Sequence, residues 1–508
     1  MENSIIVNSI KSASLEGIEA KVVEVEGSLT KGLPSFNIVG LASSDIQEAK
    51  ERAKNALLAS SFELPPLRIT LNLSPSDIKK SGTHFDLAIA SLVALGSKNI
   101  VHKDIFLFGE LGLDGKVKSS SLIFPLILSL KEQDLISKAI VPKEALNALK
   151  FIDGIEFFAV DTLKEAIDIL SQEELKTTTK KHSYSAKKLT INKQNYYYLQ
   201  EYQSDFEDIL GQEIAIRAAL IAASGMHNIL LNGSPGSGKS MIAKRLQYIL
   251  PPLSQKEILS IARAEFLEGK EPTFKPLRPF RSPHHTATSA AIFGGGSHNA
   301  KIGEVALANG GILFFDELPH FSSKVLEALR EPLQDKVINI ARVNSKIQYS
   351  ANFMFVAAQN PCPCGNLLSK VKDCRCSDLE IKRYKNRLSD PFLDRIDIFV
   401  TMAEVDFNKA NVTTSKDMHE SVLRAFSAQK KRGQDKLNGQ LQEREIDKFC
   451  ILNSDAQAIL EQAISKFALS FRSIANIKKV SRTIADINGN QEITKKDLLE
   501  ALSYRKRD

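Results

Sequence analysis

Apolar and polar residues alternate along "EAKVVEVEGSL" (19–29) and "RITLNLSP" (68–75), and β-branched residues fill many of the apolar places. That period of two predicts strands. "SSDIQEAKERAKNALLAS" (43–60) has helical spacing behind a Ser-Ser-Asp start, which predicts a helix. Residues 1–175 therefore read as one mixed α/β domain. The periodicity then fails. Residues 176–204 are polar and lysine-rich, which predicts a linker, with at most one tyrosine-anchored turn. From 205 to 405 the pattern becomes repeated strand–loop–helix. The remainder, 406–508, is mostly helical, and Thr494 with Asp497 opens its last helix in the manner of a capping box.

Composition adds bounds to this α/β multidomain reading. A chain of 508 residues fits roughly three domains. Its 43% hydrophobic and 25% charged residues are those of an ordinary globular protein. No apolar run approaches the roughly 18–20 residues that span a bilayer. The start has no basic region leading into an apolar one, so no signal peptide is expected and the expected location is cytoplasmic. Five cysteines are too few and too clustered for a disulfide framework. The net charge of +7 permits an acidic polymer as partner without demonstrating one.

The strongest chemical signal is "ILLNGSPGSGKSMIAKRLQYIL" (229–250). Gly233, Ser234, Pro235, Gly236, Ser237, Gly238, Lys239 and Ser240 fit the G-x-x-x-x-G-K-[ST] phosphate loop, with an apolar run before it and a helical pattern after it. Glycines let backbone N–H groups turn onto phosphate oxygens, and the helix N-terminus adds a favourable dipole. Lys239 is expected at the β/γ-phosphates of ATP and Ser240 at Mg²⁺. In "GGILFFDELPHF" (310–321) an apolar strand ends in Asp316 and Glu317, a Mg²⁺ carboxylate followed by a general base for the attacking water. Alone, the pair reads almost as well as a surface acidic end; behind a sound phosphate loop it does not. "FMFVAAQNP" ends a third strand at Asn360, which positions lytic water in ring ATPases but equally starts turns. Arg395 and Arg472 are candidates to meet γ-phosphate charge, although periodicity cannot separate them from surface arginines.

Together the phosphate loop, "PFRSPHHTATSAAIFGGG", "GEVALANGGILFFDELPHF", "LREPLQDKVINIAR", "PFLDRIDIFV" and "TKGLPSFNIVGLASSDIQEAKERAKNAL" closely resemble the YifB/ComM family of magnesium-chelatase-like AAA+ ATPases, over nearly the whole chain. The resemblance implies a Lon-protease-like N-terminal domain, a parallel α/β AAA+ core and an α-helical lid. It implies Asn360 as sensor 1, Arg472 as sensor 2, and Arg395 as an arginine finger acting on a neighbouring subunit, hence a homohexamer. It also implies an ATP-driven DNA helicase that drives branch migration on single-stranded or branched DNA during natural transformation. The Lon-type Ser-Lys dyad is missing: its serine falls near His84 and its lysine near Leu122–Phe124, so no peptidase is expected. Nothing in the chain supplies a porphyrin site. A protein-remodelling ATPase and a chelatase-type motor subunit remain as alternatives.

In related ring helicases a hairpin before the sensor strand enters the pore. "DKVINIARVNSKIQYSANF" (335–353) reads as such a hairpin, with Lys336, Arg342 and Lys346 as candidate phosphate contacts. Lys275, Arg278 and Arg281, between the two nucleotide motifs, are further candidates. His284 and His285 are adjacent on an extended segment and so face opposite ways, which favours packing or a pore role over metal binding. Finally, "PCPCGNLLSKVKDCRC" (361–376) places Cys362, Cys364, Cys374 and Cys376 in a C-x-C-x₉-C-x-C pattern. Four thiolates suit a structural Zn²⁺. A redox-labile cluster and coincidence are the alternatives.

Overall fold

The computed structural model describes residues 6–96, 100, 102, 104–172, 184–295, 301–341, 346–404 and 412–506. It divides into two units, one of residues up to 183 together with 262–273, the other of the rest.

In the first unit, alternation becomes pairing. Strands Ile6–Glu16 and Glu19–Thr30 form a long antiparallel ladder, with Ile10 opposite Val25. Arg68–Ser74 adds antiparallel to the second of these, and Ser35–Val39 pairs parallel with it at the edge. On the other side, Phe106–Leu107, Lys138–Pro142 and Glu156–Val160 extend the sheet in parallel. Val23, Val25, Ile69, Leu71 and Leu73 are all buried, which fixes the register, since a slip of one residue would turn them outward. The predicted helix stands at Ser44–Ala59 and buries Ile46, Ala49, Ala53, Ala56 and Leu57. Helix Asp86–Leu95 is buried on nearly every side, so its sequence carries no polar stripe.

The second unit contains a five-stranded sheet in the order Phe280–Arg281, Ile312–Phe315, Met354–Gln359, Ile229–Asn232, Ile398–Thr401. Every neighbouring pair is parallel. Runs such as "ILFF" and "MFVAAQ" are almost wholly apolar because both sheet faces are covered. Helices Ser415–Lys431, Glu443–Phe449, Ser454–Phe467, Phe471–Asn488 and Lys495–Ser503 follow, sharing one hydrophobic core with the sheet. The Thr494–Asp497 capping box is present.

The linker expected at 176–204 is corrected over its second half. Lys187–Ile191 and Gln194–Tyr198 form a β-hairpin, and Leu253–Ser254 adds a third strand. The tyrosines explain it: Tyr196 is buried with its ring edge-on to Phe426, 4.9 Å between centroids. The turn at Asn192 and Lys193 holds both residues at positive φ without the glycine that usually signals it.

Candidate nucleotide site, arginine pair and cysteine cluster

Parallel strands deliver their functional residues at their carboxyl ends. Strand Ile229–Asn232 runs into the phosphate loop, where Gly236 and Gly238 take φ of 79° and 91°, values cheap only for glycine. No described residue lies within 4 Å of where a Gly236 Cβ would stand, so the loop is open toward that side. Lys239, the first residue of the following helix, donates to the carbonyls of Gly233 (2.5 Å) and Ser234 (2.9 Å) and to Asn360 Oδ1 (3.1 Å). Burial holds its ammonium below the usual lysine range. The Ser237 hydroxyl is buried with no partner among the described residues, as expected of a cradle built for a polar ligand.

Ser240 donates to Asp316 Oδ2 at 2.7 Å, so the phosphate-loop hydroxyl and the strand-end carboxylate converge on one point. That donor pair fits a hard divalent cation such as Mg²⁺, which takes oxygen ligands and keeps several waters. Glu317 follows in the left-handed conformation, φ 51° and ψ 47°. A non-glycine residue held there at a strand end is typical of a site where geometry is imposed on a functional group. Its carboxylate lies 3.7 Å from His285 Nδ1. Sequence reasoning missed that proximity, because His285 comes from a separate segment after Arg281.

Arg395 donates to the Arg330 carbonyl (3.0 Å), to the Pro391 carbonyl and to Gln334 Oε1 (2.8 Å). Arg472 donates to the same Gln334 oxygen at 3.1 Å. Two guanidinium groups, from the sheet domain and from the helical domain, thus share one neutral acceptor on helix Arg330–Asp335. Burial first, then neighbouring Arg472 and Arg330, pushes Arg395 below its ordinary pKa against the opposing pull of Asp394 and Asp335. Next to Arg472, Phe471 is 93% exposed.

Two candidate polymer contacts are corrected. Arg278 is buried; it donates to the carbonyls of Pro251, Pro252 and Gly310 and pairs with Glu257 at 3.1 Å. Arg281 makes a two-pronged pair with Glu304 at 2.6 and 2.8 Å. Both guanidinium groups are spent on the fold. Lys275 is exposed. Lys336 is half-buried at the entry to the hairpin Val337–Ala341/Lys346–Ser350, and burial pulls its ammonium down to about 8. Lys346 opens the returning strand, and Arg342 lies outside the described residues. In the first unit, His84 is fully buried with Nε2 at 2.8 Å from the Ala13 carbonyl, and burial lowers its pKa to about 4. Ile123 and Phe124 are buried at the start of a helix.

The four clustered cysteines converge, with their sulfurs within 4.8 Å of one another. Cys362 Sγ lies 3.4 Å from Cys364 Sγ and 3.7 Å from Cys374 Sγ. Tetrahedral zinc with Zn–S bonds of about 2.3 Å requires sulfurs about 3.8 Å apart, so the donor set fits. Backbone N–H groups of Asn366 and Arg375 draw the Cys364 thiol down to about 6, and the Cys364 N–H points at Cys376 Sγ (3.4 Å).

A parallel sheet with a phosphate loop, an Asp-Glu strand end, a strand-end Asn touching the loop lysine and a helical domain behind it defines the AAA+ ATPase class. Comparison with known proteins narrows this. Residues 205–410 match the model described as magnesium chelatase, subunit ChlI; 25–145 and 412–505 match the models for subunit ChlI of Mg-chelatase and its C-terminal part. Competence protein ComM of Haemophilus influenzae is 38% identical over 98% of this chain and 97% of its own length. The Escherichia coli protein YifB is 36% identical over 96% of this chain and 95% of its own. Lon protease 2 of Bacillus subtilis is 32% identical over 33% of this chain and 32% of its own. The chain belongs to the YifB/ComM family of magnesium-chelatase-like AAA+ proteins.

Proposed function

We propose that this protein is an ATP-driven DNA motor, a ring helicase that drives branch migration during recombination of incoming DNA in natural transformation. The observation that supports it most is the phosphate loop and acidic pair in working register, Ser240 on Asp316 at 2.7 Å, in a chain matched end to end by a competence protein. Mg²⁺, when bound, neutralises phosphate charge and orients the β- and γ-phosphates. Lys239 holds the phosphates, Glu317 takes the proton of the attacking water, and Asn360 fixes that water. Arg395, as arginine finger, supplies positive charge to the γ-phosphate held by the next subunit of a homohexamer, and Arg472, as sensor 2, meets it at Gln334. DNA, single-stranded or branched, is the proposed track, and Lys275 with the strand pair Val337–Ala341 and Lys346–Ser350 its proposed contact. The cysteine cluster is proposed to hold a structural zinc. No helix among the described residues is long and apolar enough to cross a membrane, and the proposed location is the cytoplasm.

The test is ATP hydrolysis by the purified protein with no addition, with single-stranded DNA, with a branched junction or with casein. Stimulation by DNA, absent in Glu317→Gln, is the expected result. Stimulation by casein alone would replace the DNA motor with a protein-remodelling one. Activity only with a second protein and a tetrapyrrole would point to a chelatase motor.

A further inference from the structure

We infer that the cysteine cluster is a brace for the nucleotide site, fixing the sensor and the phosphate loop through direct contacts. The inference rests on the zinc and ATP readings above. Three observations place the cluster against the catalytic sheet. First, Asn360, whose Oδ1 meets Lys239 at 3.1 Å, is separated from Cys362 only by Pro361, a buried residue with a ring-locked φ. Anchoring the Cys362 sulfur therefore limits where the Asn360 amide can stand.

Second, the Gly365 N–H returns to the Cys362 carbonyl at 3.0 Å, closing a turn with Gly365 at φ 82°. A Cβ on Gly365 would stand 2.6 Å from Pro235 Cδ and 2.7 Å from its Cγ. Pro235 is the middle of the phosphate loop, so the cysteine turn lies directly on the segment that must cradle phosphate. Third, the far side of the cluster is tied down. The Ser369 hydroxyl (2.5 Å) and the Lys370 N–H (3.0 Å) both donate to Glu404, just beyond strand Ile398–Thr401. That strand pairs with the phosphate-loop strand.

The loop between these anchors buries little of its own. Val371 is 85% exposed, and Leu367 and Leu368 are exposed as well. So short and polar a loop gains its fixed shape from the metal. Metal loss then frees the turn on Pro235 and the chain leading to Asn360 together. Pro235 and Gly365 act as positioning residues: they touch each other, and the loop they stabilise touches nucleotide.

The experiment measures zinc per chain by elemental analysis and affinity for a fluorescent ATP analogue in the same samples, all in the non-hydrolysing Glu317→Gln background. The parent protein should carry one zinc. Cys374→Ser/Cys376→Ser should lose it and bind the analogue about tenfold more weakly, while Cys450→Ser, in the helical domain, should match the parent. Gly365→Ala is decisive, because it keeps all four ligands and places a methyl on Pro235. It should retain zinc yet lose about tenfold in affinity, and adding Pro235→Ala should recover part of that loss. A parent protein without zinc overturns the metal reading. A zinc-loaded Gly365→Ala protein with parental affinity overturns the brace alone, as does parental affinity after zinc is stripped by a chelator.

Discussion

Arg278 and Arg281 lie in one basic stretch of the chain, Arg395 and Arg472 in two unrelated stretches, yet the structure reverses their promise. Arg278 has three carbonyls and a carboxylate around it, and Arg281 has both oxygens of Glu304. Their charge is consumed by the fold. Arg395 and Arg472 share a single uncharged oxygen. Neither makes an ion pair among the described residues, and Asp394 and Asp335 offset the charge on Arg395 only in part, so positive charge is held in place for an anion. Charge in a sequence therefore says little about availability; the partners of each guanidinium decide it.

The sharpest way to break this contrast is to remove one arginine of each kind. Arg395→Ala should lower steady-state ATP turnover by about a thousandfold, the range of an arginine finger, with a denaturation midpoint close to wild type. Arg278→Ala should do the opposite. It leaves three buried carbonyls without their donor and removes the cation beside Glu257, which keeps only Ser254, so urea denaturation should show a loss of about 3 kcal/mol. If Arg278→Ala is as stable as wild type and binds DNA more weakly, its assignment to the fold is wrong.

A smaller effect tests the platform that carries Arg395. Asp397 lies two residues on with its side chain buried, and desolvation opposes its charge. Lys479 at 3.7 Å, His227 at 3.7 Å and the Asn228 N–H at 2.9 Å outweigh that and hold its pKa at about 2. A carboxyl group depressed on folding contributes stability that is complete above its unfolded value, near 4, and is lost as pH falls toward 2. The contribution is roughly 2 kcal/mol. Wild type should lose that amount between about pH 4 and pH 2 in denaturation titrations, and Asp397→Asn should flatten that part of the profile. An unchanged slope would mean that other carboxylates carry the acid sensitivity.

Much of this was legible in advance. The phosphate loop, Asp316 and Glu317 are local motifs at the ends of apolar strands, and local sequence dictates both. The helix at 44–59 and the final capping box were equally plain. The hairpin at 187–198 was not, because its turn lacks glycine and its burial depends on Phe426, far along the chain. His285 beside Glu317, Gln334 between two arginines and Gly365 on Pro235 share that character. Each is a contact between distant segments, and a local motif on one side does not name its partner on the other. The arginines at 278 and 281 misled for the same reason, since their carbonyl and carboxylate partners are non-local.

Gln334 offers the finest test of the comparison, because a single atom changes. Gln334→Glu keeps the shape and both hydrogen bonds but places a negative charge between Arg395 and Arg472. Each bond becomes charge-assisted, so the pair should be held at least as firmly and the melting temperature should not fall. The net positive charge, however, drops by one where the γ-phosphate of the neighbouring subunit is proposed to lie. Turnover should fall about tenfold with little change in KM, since the lost stabilisation belongs to the transition state. Gln334→Leu separates position from charge: it leaves both arginines charged but removes their common acceptor, so turnover should fall with a slightly lower melting temperature. If Gln334→Glu hydrolyses ATP at the wild-type rate, neutrality at this position is irrelevant, and the two arginines differ from Arg278 only in exposure.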